Sequence, residues 1–201
     1  MSTDPQTASD HHEALMRWLP LFVALAVLYR MLGAWIPELG NASPLIAVFF
    51  CGALLFKRSW WILPALGVLA LTDLLAAWKQ GYPMVGTWLP ANYLCYALAI
   101  GLGIRLRNCQ SRTLLIGGSL AGSGLFYLIT NSMAWLGSPF YAQTLAGWVQ
   151  ALTTGIPGYP PTWMFFRNQL MADLLFTTVF VFALYPVRRS EPAGSPQQVE
   201  A

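Results

Sequence analysis

Apolar residues gather along this chain in six long stretches, at residues 18–35, 44–56, 59–78, 88–104, 113–136 and 167–187. Polar positions collect in the breaks between them. No charged residue falls between Arg112 and Arg167. A hydrocarbon core of about 30 Å asks for helices of about 20 mostly apolar residues. The pattern therefore predicts an all-α fold, an integral membrane bundle of six transmembrane helices over residues 17–187. The second stretch is short, because 13 residues rise only about 20 Å. Ser43 ahead of Pro44 predicts an N-cap followed by proline at the first helical position.

One further element lies between the fifth and sixth stretches. Leu145, Trp148, Val149 and Leu152 recur at i, i+3, i+4 and i+7, one face of a helix. Gly155, Pro157, Gly158, Pro160 and Pro161 then stop it. This predicts a short outer interfacial or re-entrant helix, serving either as a lid over a site or as plain outer packing. Residues 1–16 and 188–201 are polar and read as disordered cytoplasmic tails.

Composition agrees with a bilayer. Charged residues make up 9% and hydrophobic ones 56%, against roughly 25% and 45–50% in soluble domains. The placement of Lys and Arg sets orientation. Alternate loops hold Arg17, Lys57, Arg58, Arg105, Arg107, Arg112, Arg188 and Arg189; the other side holds Lys79 and Arg167, with Arg30 inside the first stretch. Both termini are therefore expected in the cytoplasm. The acidic segment ahead of the first stretch does not fit a cleavable signal.

The polar groups kept inside fall at one level. At about 1.5 Å per residue, Arg30, Asp73, Asn92, Asn131 and Asp173 all lie in the outer third of five different stretches. Ionisable groups within a membrane are costly unless paired or solvated, and they face the bundle interior or a cavity. Arg30, Asp73 and Asp173 are expected to form a buried ion-pair layer, with Arg167 near it. Asn41, Asn92, Asn131, Trp135, Arg167 and Asn168 are the candidate ligand-binding residues. Amides give fixed donors and acceptors, and Trp135 gives an apolar platform. Arg167 and Asn168 at a helix start would favour an anionic ligand group. The other reading is that these groups fix helix register, cap helices and bond loop carbonyls.

Other chemistry is sparse. Cys51, Cys95 and Cys109 lack CxxC spacing and read as packed or free thiols. His11 and His12, the sole histidines, lie in the first tail, so no histidine-based catalysis or metal site is expected in the membrane region. Gly118 and Gly122 form a small-xxx-small pair for close helix packing; with no Lys-Ser/Thr after it, this is no phosphate loop. No cofactor, no metal and no nucleic-acid partner is expected, and the chain is not expected to be an enzyme.

Five segments carry a resemblance. They are Asn41-Ala-Ser43-Pro44-Leu-Ile-Ala, Thr72-Asp73-Leu-Leu, Leu125-Phe-Tyr-Leu-Ile-Thr130-Asn131, Thr144-Leu-Ala-Gly147, and Phe165-Phe166-Arg167-Asn168 followed by Asp173-Leu-Leu-Phe. The chain resembles an uncharacterised family of six-helix bacterial membrane proteins. That family is similar to the substrate-binding (S) components of energy-coupling factor (ECF) vitamin transporters. The resemblance implies the bacterial cytoplasmic (inner) membrane, a ligand site near the outer face, and an ECF-type transmembrane scaffold with ATPases as partners. The Ala-xxx-Ala docking face of many S components is not matched, since Leu28 and Arg30 follow Ala24 and Ala26.

The expected function is binding and uptake of a small, partly polar molecule, a vitamin or precursor. A non-catalytic membrane scaffold or assembly protein is the alternative. An intramembrane aspartyl enzyme using Asp73 and Asp173 is the third reading, lacking the Gly-x-Gly-Asp and Tyr-Asp contexts of such proteases. The charge asymmetry makes a first prediction. A cysteine placed at Gln143 reacts with membrane-impermeant reagent in intact cells; labelling only after permeabilisation would reverse the orientation.

Overall fold

The computed structural model describes residues 20–33, 35–36, 39, 42–57, 59–81 and 88–185. Both tails, Arg17 and Asn41 lie outside the described residues. The described part is all-α. Its helices are α1 (Pro20–Gly33), α2 (Leu45–Leu55), α3 (Ile62–Gln80), α4 (Trp88–Leu106), α5 (Arg112–Gly137), α6 (Leu145–Leu152) and α7 (Thr162–Ala183), with a 3-10 turn at Ser59–Trp61 leading into α3.

Three windows are long and apolar enough to cross a membrane: Ile62–Lys79, Leu89–Leu106 and Arg112–Gly137. Helices α1 and α2 are apolar but shorter. Outward faces are apolar too. On α7, Met171, Leu175, Val179 and Phe182 are exposed along one stripe, and on α3 Leu63 and Trp78 are about three-quarters exposed. Soluble monomers rarely show apolar surface on this scale, and hydrocarbon is the solvent that accepts it. This is a membrane protein.

Helix α2 is the centre. It packs against α4, α5 and α7, and Ile46, Ala47, Phe49, Phe50, Cys51, Ala53 and Leu54 are all buried. A helix apolar all round belongs inside. One face joins Phe22, Ala26, Leu115, Phe176 and Phe180. The other joins Trp61, Leu69, Cys95, Tyr96 and Ala99. Close approach is made possible by glycines on its neighbours. A Cβ on Gly122 of α5 would stand 2.9 Å from Ile46, and one on Gly118 would stand 3.2 Å from the Phe50 ring and 2.5 Å from Leu106. All three cysteines are free.

At 11 residues, α2 rises about 16 Å. Its polar ends therefore need partners from neighbouring helices. At the N-terminus, Ala47 N–H donates to Asp173 Oδ1 at 2.9 Å. At the C-terminus, Arg107 donates through Nε and Nη2 to Ala53 O at 2.8 and 2.6 Å, and through Nη2 to Phe56 O at 2.8 Å. An acid at the start and a base at the end match the helix dipole. The expected Ser43 cap is corrected here. The capping residue is Pro44, which makes no side-chain cap, and the Ser43 hydroxyl instead accepts from Arg30.

Helix α6 forms where the sequence periodicity placed it, capped by the Thr144 hydroxyl accepting from Gly147 N–H at 3.2 Å. It packs on α5 and α7. Trp148 Nε1 donates to Ser132 Oγ at 2.9 Å, Tyr127 OH donates to Leu152 O, and Trp163 N–H donates to Thr153 O at 3.2 Å. Burial in the preceding loop pushes the Tyr141 phenol up from its ordinary range.

The packing of α4 on α2 generates a prediction. A Cβ on Gly103 would meet Phe50 O at 2.5 Å and Ala53 Cβ at 2.7 Å, whereas Gly101 faces open space. Gly103→Ala should cost about 1–3 kcal/mol through overpacking. Gly101→Ala should be neutral or gain up to about 1 kcal/mol in helix propensity. Thermal unfolding in detergent reads both; equal effects would contradict this packing.

Candidate functional site

The site begins with Arg30. Its position on α1 brings the guanidinium against α3 and the lead-in to α2. Nε donates to Thr72 Oγ1 at 2.9 Å, Nη1 to Ser43 Oγ at 2.8 Å, and Nη2 pairs with Asp73. Thr72 is fixed in turn by donating to Leu69 O at 2.9 Å. A guanidinium has five N–H groups, so two remain beyond these three contacts. The ion pair is largely enclosed, with side-chain exposures of 16% and 19%.

Asp173 has a different environment. It is fully buried and accepts from Ala47 N–H, from Ser123 Oγ at 2.8 Å and from the Gln169 side chain. Thr177 donates to Ser119 beside it at 2.7 Å. The expected three-residue ion-pair layer thus divides. Among the described residues Arg30 pairs with Asp73 alone, while Asp173 is held by neutral donors and the start of α2. The physical reason is that a helix terminus supplies the positive end of a dipole without a basic residue.

Between these two clusters lies a polar pocket of about 140 Å³. Arg30, Ser43, Asn92, Tyr96 and Gln169 supply its polar wall, and Leu45, Ile46 and Phe126 complete it. That volume equals about four to five waters of the liquid. Tyr96 and Gln169 are each 5% exposed. The Leu45–Ile46 end of α2 borders the same space. Every formal cation on this wall is matched, since Asp73 stands against Arg30. The pocket therefore presents hydrogen-bonding groups and no unmatched cation.

Of the residues expected to bind ligand, Asn92 lines this pocket. Asn131, Trp135, Arg167 and Asn168 are placed elsewhere. Asn131 Nδ2 donates to Tyr127 O at 2.8 Å, four residues back on its own helix. Trp135 Nε1 donates to Ala142 O at 2.8 Å, and Gln143 Nε2 returns a bond to Trp135 O at 2.8 Å. Arg167 is exposed, lies 5.7 Å over the Trp163 ring, and donates to Asn168 Oδ1 at 3.1 and 3.3 Å. The expected anion slot at Arg167 is corrected by the start of α7. That helix begins at Thr162 after Pro161, so Asn168 lies a full turn inside it and its N–H is not a terminal one. Tyr96 and Gln169 were missed, although each has a signal: Tyr96 follows Asn92 by four residues and Gln169 precedes Asp173 by four, which places each pair on one helix face.

A larger apolar cleft adjoins the pocket. It has a volume of about 250 Å³ between α1, α2 and α3 and shares Arg30 and Leu45 with the polar pocket. Helix α6 borders neither space. Among the described residues no cluster of His, Cys, Asp and Glu could hold a metal ion.

The Arg30–Asp73 contact makes the third prediction. Removing one partner of a buried pair costs about 3–5 kcal/mol, because the other charge is stranded. Asp73→Ala should lower the unfolding temperature, and Arg30→Ala added to it should restore part of the loss. A double-mutant cycle should return a coupling of about 0.5–3 kcal/mol; strict additivity would contradict direct contact.

No curated protein and no solved structure matches this chain. A family model does match, over residues 12–194, nearly the whole of the sequence, and the chain belongs to that family of unknown function, DUF6580.

Proposed function

We propose that this protein binds a small, partly polar molecule within the membrane and serves its uptake, a vitamin or precursor being the substrate class. One observation carries the reading. Five polar side chains from four parts of an apolar bundle converge on a single pocket at the start of α2. Transporter sites recur where a short or broken membrane helix turns its N-terminus toward substrate. Helices run through all six apolar stretches and most basic residues fall in alternate loops, which supports a six-span bundle with both termini cytoplasmic; a bacterial inner membrane belongs to the same reading. An ECF-type scaffold and ATPases are the energising partners this reading calls for, since nothing in the sequence suggests an ATP site.

A scaffold role is the second reading, favoured by the broad apolar face of α3, where Leu71, Leu74, Leu75 and Trp78 are exposed. An aspartyl enzyme gains no support from the geometry. Asp73 and Asp173 are bound to separate partners.

The test is mass spectrometry of small molecules co-purified from the native host, repeated on variants. Asn92→Leu and Tyr96→Phe should reduce retention at least tenfold, while Asn131→Leu and Arg167→Gln retain it. Unchanged retention in the first pair would sink the pocket. A stable protein partner with no small molecule would favour the scaffold reading.

A further inference from the structure

The polar pocket alone is smaller than the roughly 300–1,000 Å³ of most ligand sites. Its neighbour changes the arithmetic. The cleft between α1, α2 and α3 shares Arg30 and Leu45 with it, so the two spaces meet at the same side chains. The cleft wall is almost wholly apolar: Val23, Val27, Val48, Pro64, Ala65 and Val68 line it. Helix α3 closes it loosely, with 17% of its apolar window buried against 28% for α4. Val23 and Val68 at the rim are each over a third exposed, so the cleft opens sideways to the surrounding hydrocarbon. At about 30 Å³ per non-hydrogen centre, water's share of liquid volume, it holds about eight carbons, which suits one chain and not two.

We propose that the substrate is a single-chain amphiphile. Its small uncharged head, carrying hydroxyl or amide groups, sits among Asn92, Tyr96 and Gln169, and its medium-length apolar tail lies in the cleft between α1 and α3. Asp73 neutralises Arg30 at the boundary, and this sets the head's charge: a carboxylate or phosphate would find no unmatched cation. Lateral access lets the tail enter from the bilayer without crossing water. This inference rests on the binding function proposed above and specifies the class of molecule bound.

The experiment uses the full chain in phosphatidylcholine nanodiscs, with unfolding temperature read against added 1-decanoylglycerol, decanamide, decanoate and glycerol. The two uncharged amphiphiles should raise the unfolding temperature saturably, and decanoate and glycerol should not. Asn92→Leu should weaken the effect at least tenfold. Ala65→Trp or, as a second filling of the cleft, Val27→Phe should abolish it while the variant keeps its own cooperative unfolding. An equal or larger shift with decanoate, or undiminished shifts in both cleft-filling variants, would overturn the proposal. A shift by glycerol alone that depends on Asn92 would overturn the amphiphile and leave small-molecule binding standing. Absence of any shift with both amphiphiles overturns it as well, and the co-purification result then decides separately on uptake.

Discussion

Everything in this bundle is arranged around the two ends of α2. Unpaired backbone groups in hydrocarbon cost several kcal/mol each, and a helix of about 16 Å cannot carry its ends to water on both sides. The chain answers with charged side chains from two neighbours. Asp173 of α7 takes an N-terminal N–H, and Arg107, just past the end of α4, takes two C-terminal carbonyls. Each charge stands at the end of the dipole that favours it. These contacts fix α7 and α4 against α2 in height as well as in distance. The glycines of α4 and α5 can then approach closely, because the alignment that puts Gly103 against Phe50 and Gly122 against Ile46 is already set.

The same constraint produces the site. A helix that begins within the bundle leaves its first turn facing a space that no apolar residue can satisfy. Ser43, Asn92, Tyr96 and Gln169 surround that space, and Arg30 enters it from the side. Asp173 therefore has a structural task, holding the helix start, and its neighbour Gln169 belongs to both the cap and the pocket wall. The structural role of the polar level and the binding role proposed for it are not competing explanations. One is the foundation on which the other rests.

Much of this was legible in the sequence, for reasons that differ by residue. The period of Leu145, Trp148, Val149 and Leu152 placed α6, since a side-chain stripe records helix rotation directly. Equal depth brought Arg30 to Asp73, because rise per residue is nearly constant in a helix. Depth alone could not decide what Asp173 contacts. One of its partners is a backbone N–H, and every residue but proline carries one. Asn131 lies at the right level yet bonds its own helix, a choice that rotamer and rotation make and that residue type does not record. The start of α7 was hidden in Thr-Trp-Met-Phe-Phe, where an apolar run reads equally as loop packing or as a first helical turn.

The shortness of α2 also explains why α3 is held so lightly. With α4, α5 and α7 packed against α2, α3 is left with a foot and a latch. The foot is Trp61, stacked near Phe56 and tilted against Phe49. The latch is Arg30 reaching Thr72 and Asp73 one helix away. Between them Leu69 is the chief buried contact, and the cleft lies beside it. Local opening draws on the elements with the fewest buried contacts, and here that element carries half of the ion pair at the pocket's edge. Whatever moves α3 away from α1 therefore acts on Arg30 first. The contact between α1 and α3 is polar, and its strength depends on how dry the pocket is.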